Sequence, residues 1–258
     1  MKDSREEWYA ADKKVAVTIV DVTAAAQELA RGHLCGPTAA HYLAKALAAA
    51  ALLGAETEKD DEVVSVQVKC SGPLGGVNVE CTAAGTLRGY TERKILEDFD
   101  GQGLPDDRRV IGDCQVQVTR SIPGKILSQG LSNSLNGYLA GSVQRKANLY
   151  LEAAVSDEVE VFEARGVLVE ELPDAERTGV LGQDLGSLAV SSRKLLDRLG
   201  LGSAELRRTT PLKFACRCSP ERAVAMLAAL SDEERRALPE KIDITCHMCG
   251  RTFTVPTK

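Results

Sequence analysis

The stretch from residue 213 to 258 holds four of the chain's eight cysteines in two tight pairs. Cys216 and Cys218 form a C-x-C in "FACRCSPER", and Cys246 and Cys249 form a C-x-x-C in "DITCHMCGRTF". A segment of about 40 residues buries too little apolar surface to fold unaided and needs a metal, a disulfide or a partner. Two knuckles of two thiols each supply the four ligands of a tetrahedral Zn2+ site. Gly250, directly after the second pair, suits a tight knuckle turn. Between the pairs, Ser219 and Pro220 predict an N-cap and first turn for the helix "ERAVAMLAALS", and Ser231 with Glu234 predicts a capping box for another. "DITCHMCGRTFTV" then reads as a hairpin carrying the second knuckle.

Other uses of these thiols fit less well. Haem attachment wants a histidine where Gly250 stands. A thioredoxin-type motif opens a helix, whereas this C-x-x-C falls in a turn. His247, inside the knuckle, is expected to be a solvent-exposed bystander. The N-terminus "MKDSREEWYAADKK" carries no secretory pattern, so a cytoplasmic location is expected. In a reducing compartment permanent disulfides are disfavoured, and metal or redox roles gain weight. A net charge of −5 argues against nucleic acid as a partner, and 4% aromatic residues leave little for base stacking. The apolar run 39–54 is short for a bilayer and carries His41 and Lys45, so a buried amphipathic helix, and no membrane partner, is expected.

The body of the chain predicts an α+β fold. "KKVAVTIVDV" alternates as a strand with Val15, Val17 and Ile19 on one face. "TAAAQELARGH" and "PTAAHYLAKALAAAALLG" read as helices, the second entered at Pro37 and stopped at Gly54. "EVVSVQVKC" and "VNVECT" flank the turn "SGPLGG" and predict a hairpin. More strands are expected at "CQVQVTR", "NLYLEAAV" and "VEVFEARGVLVEEL", and a helix around "NSLNGYLAGSVQR". No regular βαβ rhythm runs through these elements, which is what separates α+β from α/β. Residues 1–174 are thus expected to form a mixed domain, 175–212 a helical linker broken by glycines, and 213–258 the small zinc domain.

The remaining cysteines, Cys35, Cys70, Cys81 and Cys114, read as small buried apolar residues. His33 and His41 read as core or capping side chains, and Arg88 and Tyr90 as structural residues of a strand end. "SGPLGG" lacks the Lys-Ser/Thr of a phosphate cradle. No nucleophile–base pair stands at a motif spacing, so an enzyme is not expected.

Is the metal static? Zn–S bonds of about 2.3 Å place tetrahedral sulfurs roughly 3.8 Å apart, so each pair can close to a disulfide with little movement once the metal is lost. Cys218, just before a helix N-terminus, is expected to favour thiolate. Zinc binding is worth on the order of 10–16 kcal/mol in small modules, so oxidation that expels it should unfold the segment and free a linker docked on it. A constitutive zinc-stabilised protein-binding module with a static site is the alternative.

The C-x-C followed by C-x-x-C-G resembles the redox-regulated thirty-three-kilodalton heat-shock chaperone family. "ARGHLCGPTAAHYLAKALAAAALL" is similar to that family's histidine-bearing segment and long alanine-rich helix. "SGPLGGVNVECTAAGTLRGY" resembles its Gly-Pro-Leu-Gly turn and Arg-Gly-Tyr, and "LVEELPDAE" the close of its substrate domain. The resemblance implies an ATP-independent holdase, inactive when reduced and zinc-loaded. It implies that oxidative and heat stress form Cys216–Cys218 and Cys246–Cys249 disulfides, release zinc and unfold the linker. Unfolded or partly folded clients are then bound, and a homodimer is implied for the oxidised form.

Overall fold

The structure is a computed structural model that describes residues 2–257 except 58, 104, 174, 176, 177, 228 and 229. The expected boundary at Asp174, Glu176 of "LVEELPDAE", and Ala228 and Ala229 of the helix expected after Pro220 therefore lie outside the described residues. The chain begins β1 (Ser4–Ala10), β2 (Val15–Asp21), α1 (Thr23–His33), α2 (Pro37–Leu53), β3 (Val63–Cys70), β4 (Gly76–Thr82) and β5 (Thr86–Thr91). It continues through α3 (Asp107–Val110), β6 (Cys114–Ile122), β7 (Lys125–Ser132), α4 (Leu135–Gly137), β8 (Lys146–Val155) and β9 (Val161–Glu171). The last third holds α5 (Ser192–Arg198), β10 (Glu205–Pro211), β11 (Lys213–Phe214), α6 (Pro220–Leu227), α7 (Asp232–Ala237), β12 (Lys241–Thr245) and β13 (Thr252–Pro256).

The described residues form three sheets, in the orders β10-β1-β2-β9-β8, β11-β5-β4-β3-β6-β7 and β12-β13. Pairing is antiparallel except for β11 on β5. This is the α+β class that the sequence predicts. Helix α2 lies between the two large sheets, and residues on nearly all its faces are buried, among them Ala39, Leu43, Leu47, Ala50 and Leu53. A helix apolar nearly all round belongs in such a place, and α2 is less amphipathic than His41 and Lys45 suggest. With the 3-10 turn that follows it, the span Pro37–Glu56 is long and apolar enough to cross a membrane, but it is mostly buried in the core. Helix α1 is started from a distance: Asp3 accepts the Ala24 and Ala25 amides at 2.9 and 2.7 Å.

The five-stranded sheet is covered on both faces. Val20, Ala164 and Leu168 face the helices. Val15, Val17, Ile19, Val167 and Val169 face the other way, under Val180, Leu185, Leu188, Leu195, Leu196, Leu199 and Leu201. Among its described residues, the segment 175–212, expected to be helical, holds one helix, α5, and one edge strand, β10. Left-handed turns at Gly182 and Gly186, φ +78° and +59°, break the helical pattern before α5.

The helix expected around "NSLNGYLAGSVQR" is likewise reduced, to α4 and a π-turn over Tyr138–Ser142. Strands β1, β7 and β10 have no counterpart in the sequence reading. β7 and β10 are sheet edges with largely exposed residues, so apolar alternation is missing.

Candidate metal centre

The first cysteine pair is placed by the six-stranded sheet. β11 lies parallel beside Thr86 and Leu87 of β5, and the Ala215 amide donates to the Leu87 carbonyl at 3.1 Å. Cys216 follows at once. After Cys218, the Ser219 hydroxyl accepts the Arg222 amide at 3.3 Å and starts α6, as expected. The capping box of Ser231 and Glu234 on α7 is also formed.

The second pair sits at the end of the β12–β13 hairpin, paired from Lys241↔Pro256 to Thr245↔Thr252. The Cys246 carbonyl accepts the amides of Cys249 (3.3 Å) and Gly250 (2.9 Å), closing the knuckle. Gly250 takes φ +72°, a conformation natural to glycine.

The two knuckles meet. Cys216 Sγ is 3.8 Å from Cys246 Sγ, and Cys218 Sγ is 3.4 Å from Cys249 Sγ. All four sulfurs lie within 4.8 Å of one another. Tetrahedral zinc–thiolate geometry asks for roughly 3.8 Å, so the group can hold one metal ion, and an all-sulfur donor set is compatible with zinc. Cys249 is buried and the other three are half-buried. His247 is exposed, with its ring edge-on to Tyr90 at 6.0 Å. Beyond the thiols, the apolar support among the described residues of this segment is small: Ala223, Leu227 and Val255 form its buried cluster, with Leu230, Leu238, Ile242, Ile244 and Phe253 half-buried against it.

The charge balance differs from the expectation for Cys218. Burial and the facing thiols push the Cys218 thiol up, and Cys249 is raised in the same way. Cys216 is the depressed one. Burial opposes its ionisation, but hydrogen bonds from the Cys218 backbone and thiol, the Cys249 thiol and the Arg88 guanidinium outweigh it and bring it to about 7. Helix position alone misses this, because burial and a neighbouring Cys216 favoured as thiolate both oppose a charge on Cys218.

Residues distant in sequence hold the knuckles onto the body. The Gly89 amide of β5 donates to the Met248 carbonyl at 3.0 Å. His33 Nε2, at the end of α1, donates to the Gly89 carbonyl at 2.8 Å. Arg88 lies 2.6 Å from Glu80 Oε2 and reaches to 4.0 Å from Cys216 Sγ, and Arg217 also meets Glu80, at 3.3 Å. Arg88 is thus more than a strand-end residue, and the one signal in the sequence was its place in the "RGY" stretch. Cys35 and Cys81 are buried, and Cys70 and Cys114 half-buried on β3 and β6.

A sequence profile described as "Hsp33 protein" matches residues 3–256. A protein called 33 kDa chaperonin from Thermus thermophilus is 30% identical, over 92% of this chain and 79% of its own. One of the same name from Geobacillus sp. (strain WCH70) is 25% identical over 98% and 94%. The crystal structure of the 33 kDa chaperonin (heat shock protein 33 homolog) from Thermotoga maritima superposes with a TM-score of 0.87 at 21% identity, covering 100% of this chain and 96% of that one.

Proposed function

The chain belongs to the Hsp33 protein family, and on that premise we propose that it is an ATP-independent chaperone switched on by oxidation of four metal-bound thiols. In this reading Cys216, Cys218, Cys246 and Cys249 hold one Zn2+ while reduced. Residues 1–174 carry the client surface, 175–212 cover it, and 213–258 form the switch.

One observation carries the reading: the chain that covers the apolar face of the five-stranded sheet runs directly into the first cysteine pair. From Leu201 and Ala204 it passes through β10 on β1, then Leu212, whose amide bonds the Asp3 carbonyl at 3.0 Å, then β11, then Cys216. Bound at the four thiolates, zinc would tie the two knuckles together and supply on the order of 10–16 kcal/mol that the small apolar cluster cannot.

Oxidation removes the donors. Two thiolates, two protons and one hydrogen peroxide give one disulfide and two waters, so two peroxides consume the four thiolates. From the family resemblance the pairs are Cys216–Cys218 and Cys246–Cys249. The segment then has too little core to stay folded, the Met248–Gly89 and Ala215–Leu87 bonds are released, and the cover loses its anchor. Val15, Val17, Ile19, Val167 and Val169 with the leucines above them become a surface for unfolded or partly folded proteins in the cytoplasm, with a homodimer as the oxidised assembly. The protein works by binding and catalyses no reaction.

The test is light scattering from a chemically unfolded client, with the chain either reduced and zinc-loaded or pretreated with peroxide at raised temperature. Suppression of aggregation only after oxidation is expected. Equal suppression by both forms would mean a static metal site with constitutive binding. No suppression by either would remove the chaperone reading.

A further inference from the structure

Cys70 ends β3, Cys114 begins β6, and the two lie directly opposite each other in the antiparallel β3–β6 ladder. The neighbouring hydrogen bonds fix what kind of pair they form. The Cys70 amide points away from β6 and donates to the Gly75 carbonyl at 2.9 Å. The next amide, Ser71, points the other way and donates to the Asp113 carbonyl at 2.8 Å. Backbone groups alternate in direction along a strand, so Ser71 and Asp113 are the hydrogen-bonded pair, and Cys70 and Cys114 the non-hydrogen-bonded one.

That distinction decides the chemistry. Non-hydrogen-bonded pairs bring their Cα atoms to about 4.5 Å and hold their side chains closest. A disulfide asks for Cα atoms about 4.4–6.8 Å apart. Opposed side chains share a face of the sheet. Here both sulfurs pack at the margin of the main core, extending the facing rows Val66–Val118 and Val68–Val116. Neither is in a disulfide and both are half-buried, within reach of a small oxidant; the Cys114 thiol donates to the Asn133 carbonyl at 3.2 Å and exchanges that contact for Cys70 when the bond closes.

We propose that Cys70 and Cys114 form a reversible cross-strand disulfide, an oxidation site separate from the four C-terminal thiols. The oxidant is a hydroperoxide. One thiol gives up its proton, and the thiolate attacks the peroxide oxygen and becomes a sulfenic acid as hydroxide leaves and takes that proton to form water; the second thiol attacks that sulfur, the S–S bond forms, and the sulfenic oxygen leaves with the second thiol's proton as a second water. Two thiols give up two electrons and two protons, and one hydrogen peroxide becomes two waters. Burial lifts the Cys70 thiol to about 11, with Cys114 beside it adding to the effect, and burial raises Cys114 too. Little thiolate exists at neutral pH, so the bond closes slowly. The loop it closes contains β4 and β5, and with them Glu80, Arg88 and Gly89, which dock the C-terminal knuckles. The bond therefore staples the body of the protein under the conditions that undo its C-terminal segment.

The test uses the full chain and its Cys70→Ser and Cys114→Ser variants, treated with hydrogen peroxide, alkylated under denaturing conditions and digested without reductant. Mass spectrometry should find the Cys70 and Cys114 peptides joined, lighter by two hydrogens than their sum and separated by dithiothreitol. Neither variant should give the joined species, and the oxidised wild type should melt several degrees above both. Cys70 and Cys114 that still alkylate after the four C-terminal thiols are fully oxidised would overturn the proposal. So would joining of either to Cys35, or sulfinic acids at both with no link between them. Oxidation of the four C-terminal thiols is scored in the same digest, so the two sites are judged separately.

Discussion

Gly250 and Gly32 meet backbone to backbone where the second knuckle rests on the end of α1. A Cβ at Gly250 would stand 2.0 Å from the Gly32 carbonyl oxygen, and one at Gly32 would stand 2.9 Å from the Cys249 carbonyl oxygen. No side chain fits between the two segments. The contact places a metal-binding turn flush against a helix end and leaves the Met248 carbonyl free to take the Gly89 amide.

Gly250→Ala should therefore loosen the knuckle. The left-handed φ alone costs an L-residue about 1–2 kcal/mol, and the clash adds to it. Zinc-loaded protein should pass its metal to a chromogenic chelator several-fold faster, and the Gly89 amide should exchange faster with solvent. Unchanged values for both would show that this contact does not hold the segment in place.

What the sequence revealed and what it concealed divide along a physical line. The four thiols, the Ser231–Glu234 capping box, α1, α2 and the β3–β4 hairpin depend on residues close together in the chain, and each was legible from spacing or periodicity. β1 and β10 pair residues near the start of the chain with residues beyond 200; the exposed charges of β10 and the half-buried or buried ones of β1, Arg5 among them, hide the strand pattern. The roles of Arg88, Gly89 and His33 exist only because β5 and the knuckle come together in space. Cys216 and not Cys218 is the thiol favoured as thiolate for the same reason: its ionisation depends on partners from three separate stretches of chain.

Leu196 on α5 is fully buried above the five-stranded sheet. Leu196→Ala should cost about 2–5 kcal/mol, and the loss falls on the cover. Reduced, zinc-loaded L196A should bind an apolar dye and slow client aggregation without oxidation, at least in part. A variant with lowered stability but no such binding would separate the cover from the client surface.

His41 on α2 is buried as a neutral imidazole. Desolvation, with Lys45 adding and Asp107 opposing, brings it to about 4 from an ordinary value of 6.5. The unfolded chain then takes up a proton that the folded chain refuses. The contribution to stability is complete above pH 6.5 and is lost as pH falls from there toward about 4, by up to roughly 3 kcal/mol at 1.36 kcal/mol per pH unit. His33 is shifted in the same direction by burial and adds to the slope. Urea midpoints measured between pH 7 and 4 should fall less steeply for His41→Gln than for the wild type. Parallel slopes would place the acid sensitivity elsewhere.

Glu80 serves two partners across the junction, Arg88 from its own sheet and Arg217 from between the first two thiols. The two contacts differ in worth. Glu80 and Arg88 are about four-fifths buried, with Arg88 Nε and Nη2 at 2.8 and 2.6 Å from one carboxylate oxygen, whereas the Arg217 side chain is half exposed. Removing the charge at Glu80 leaves a shielded guanidinium without its counter-charge beside Cys216, a loss of about 1–3 kcal/mol. Removing Arg217 breaks a solvent-screened pair worth under about 1 kcal/mol. Glu80→Gln should therefore lower the unfolding midpoint and speed metal transfer to a chelator clearly more than Arg217→Ala. Arg88→Lys should fall between them, keeping the charge but losing the planar fork. If E80Q and R217A were equally mild, the carboxylate would be an ordinary surface charge, and the backbone bonds of Gly89 and Ala215 would be what joins the thiol segment to the sheet.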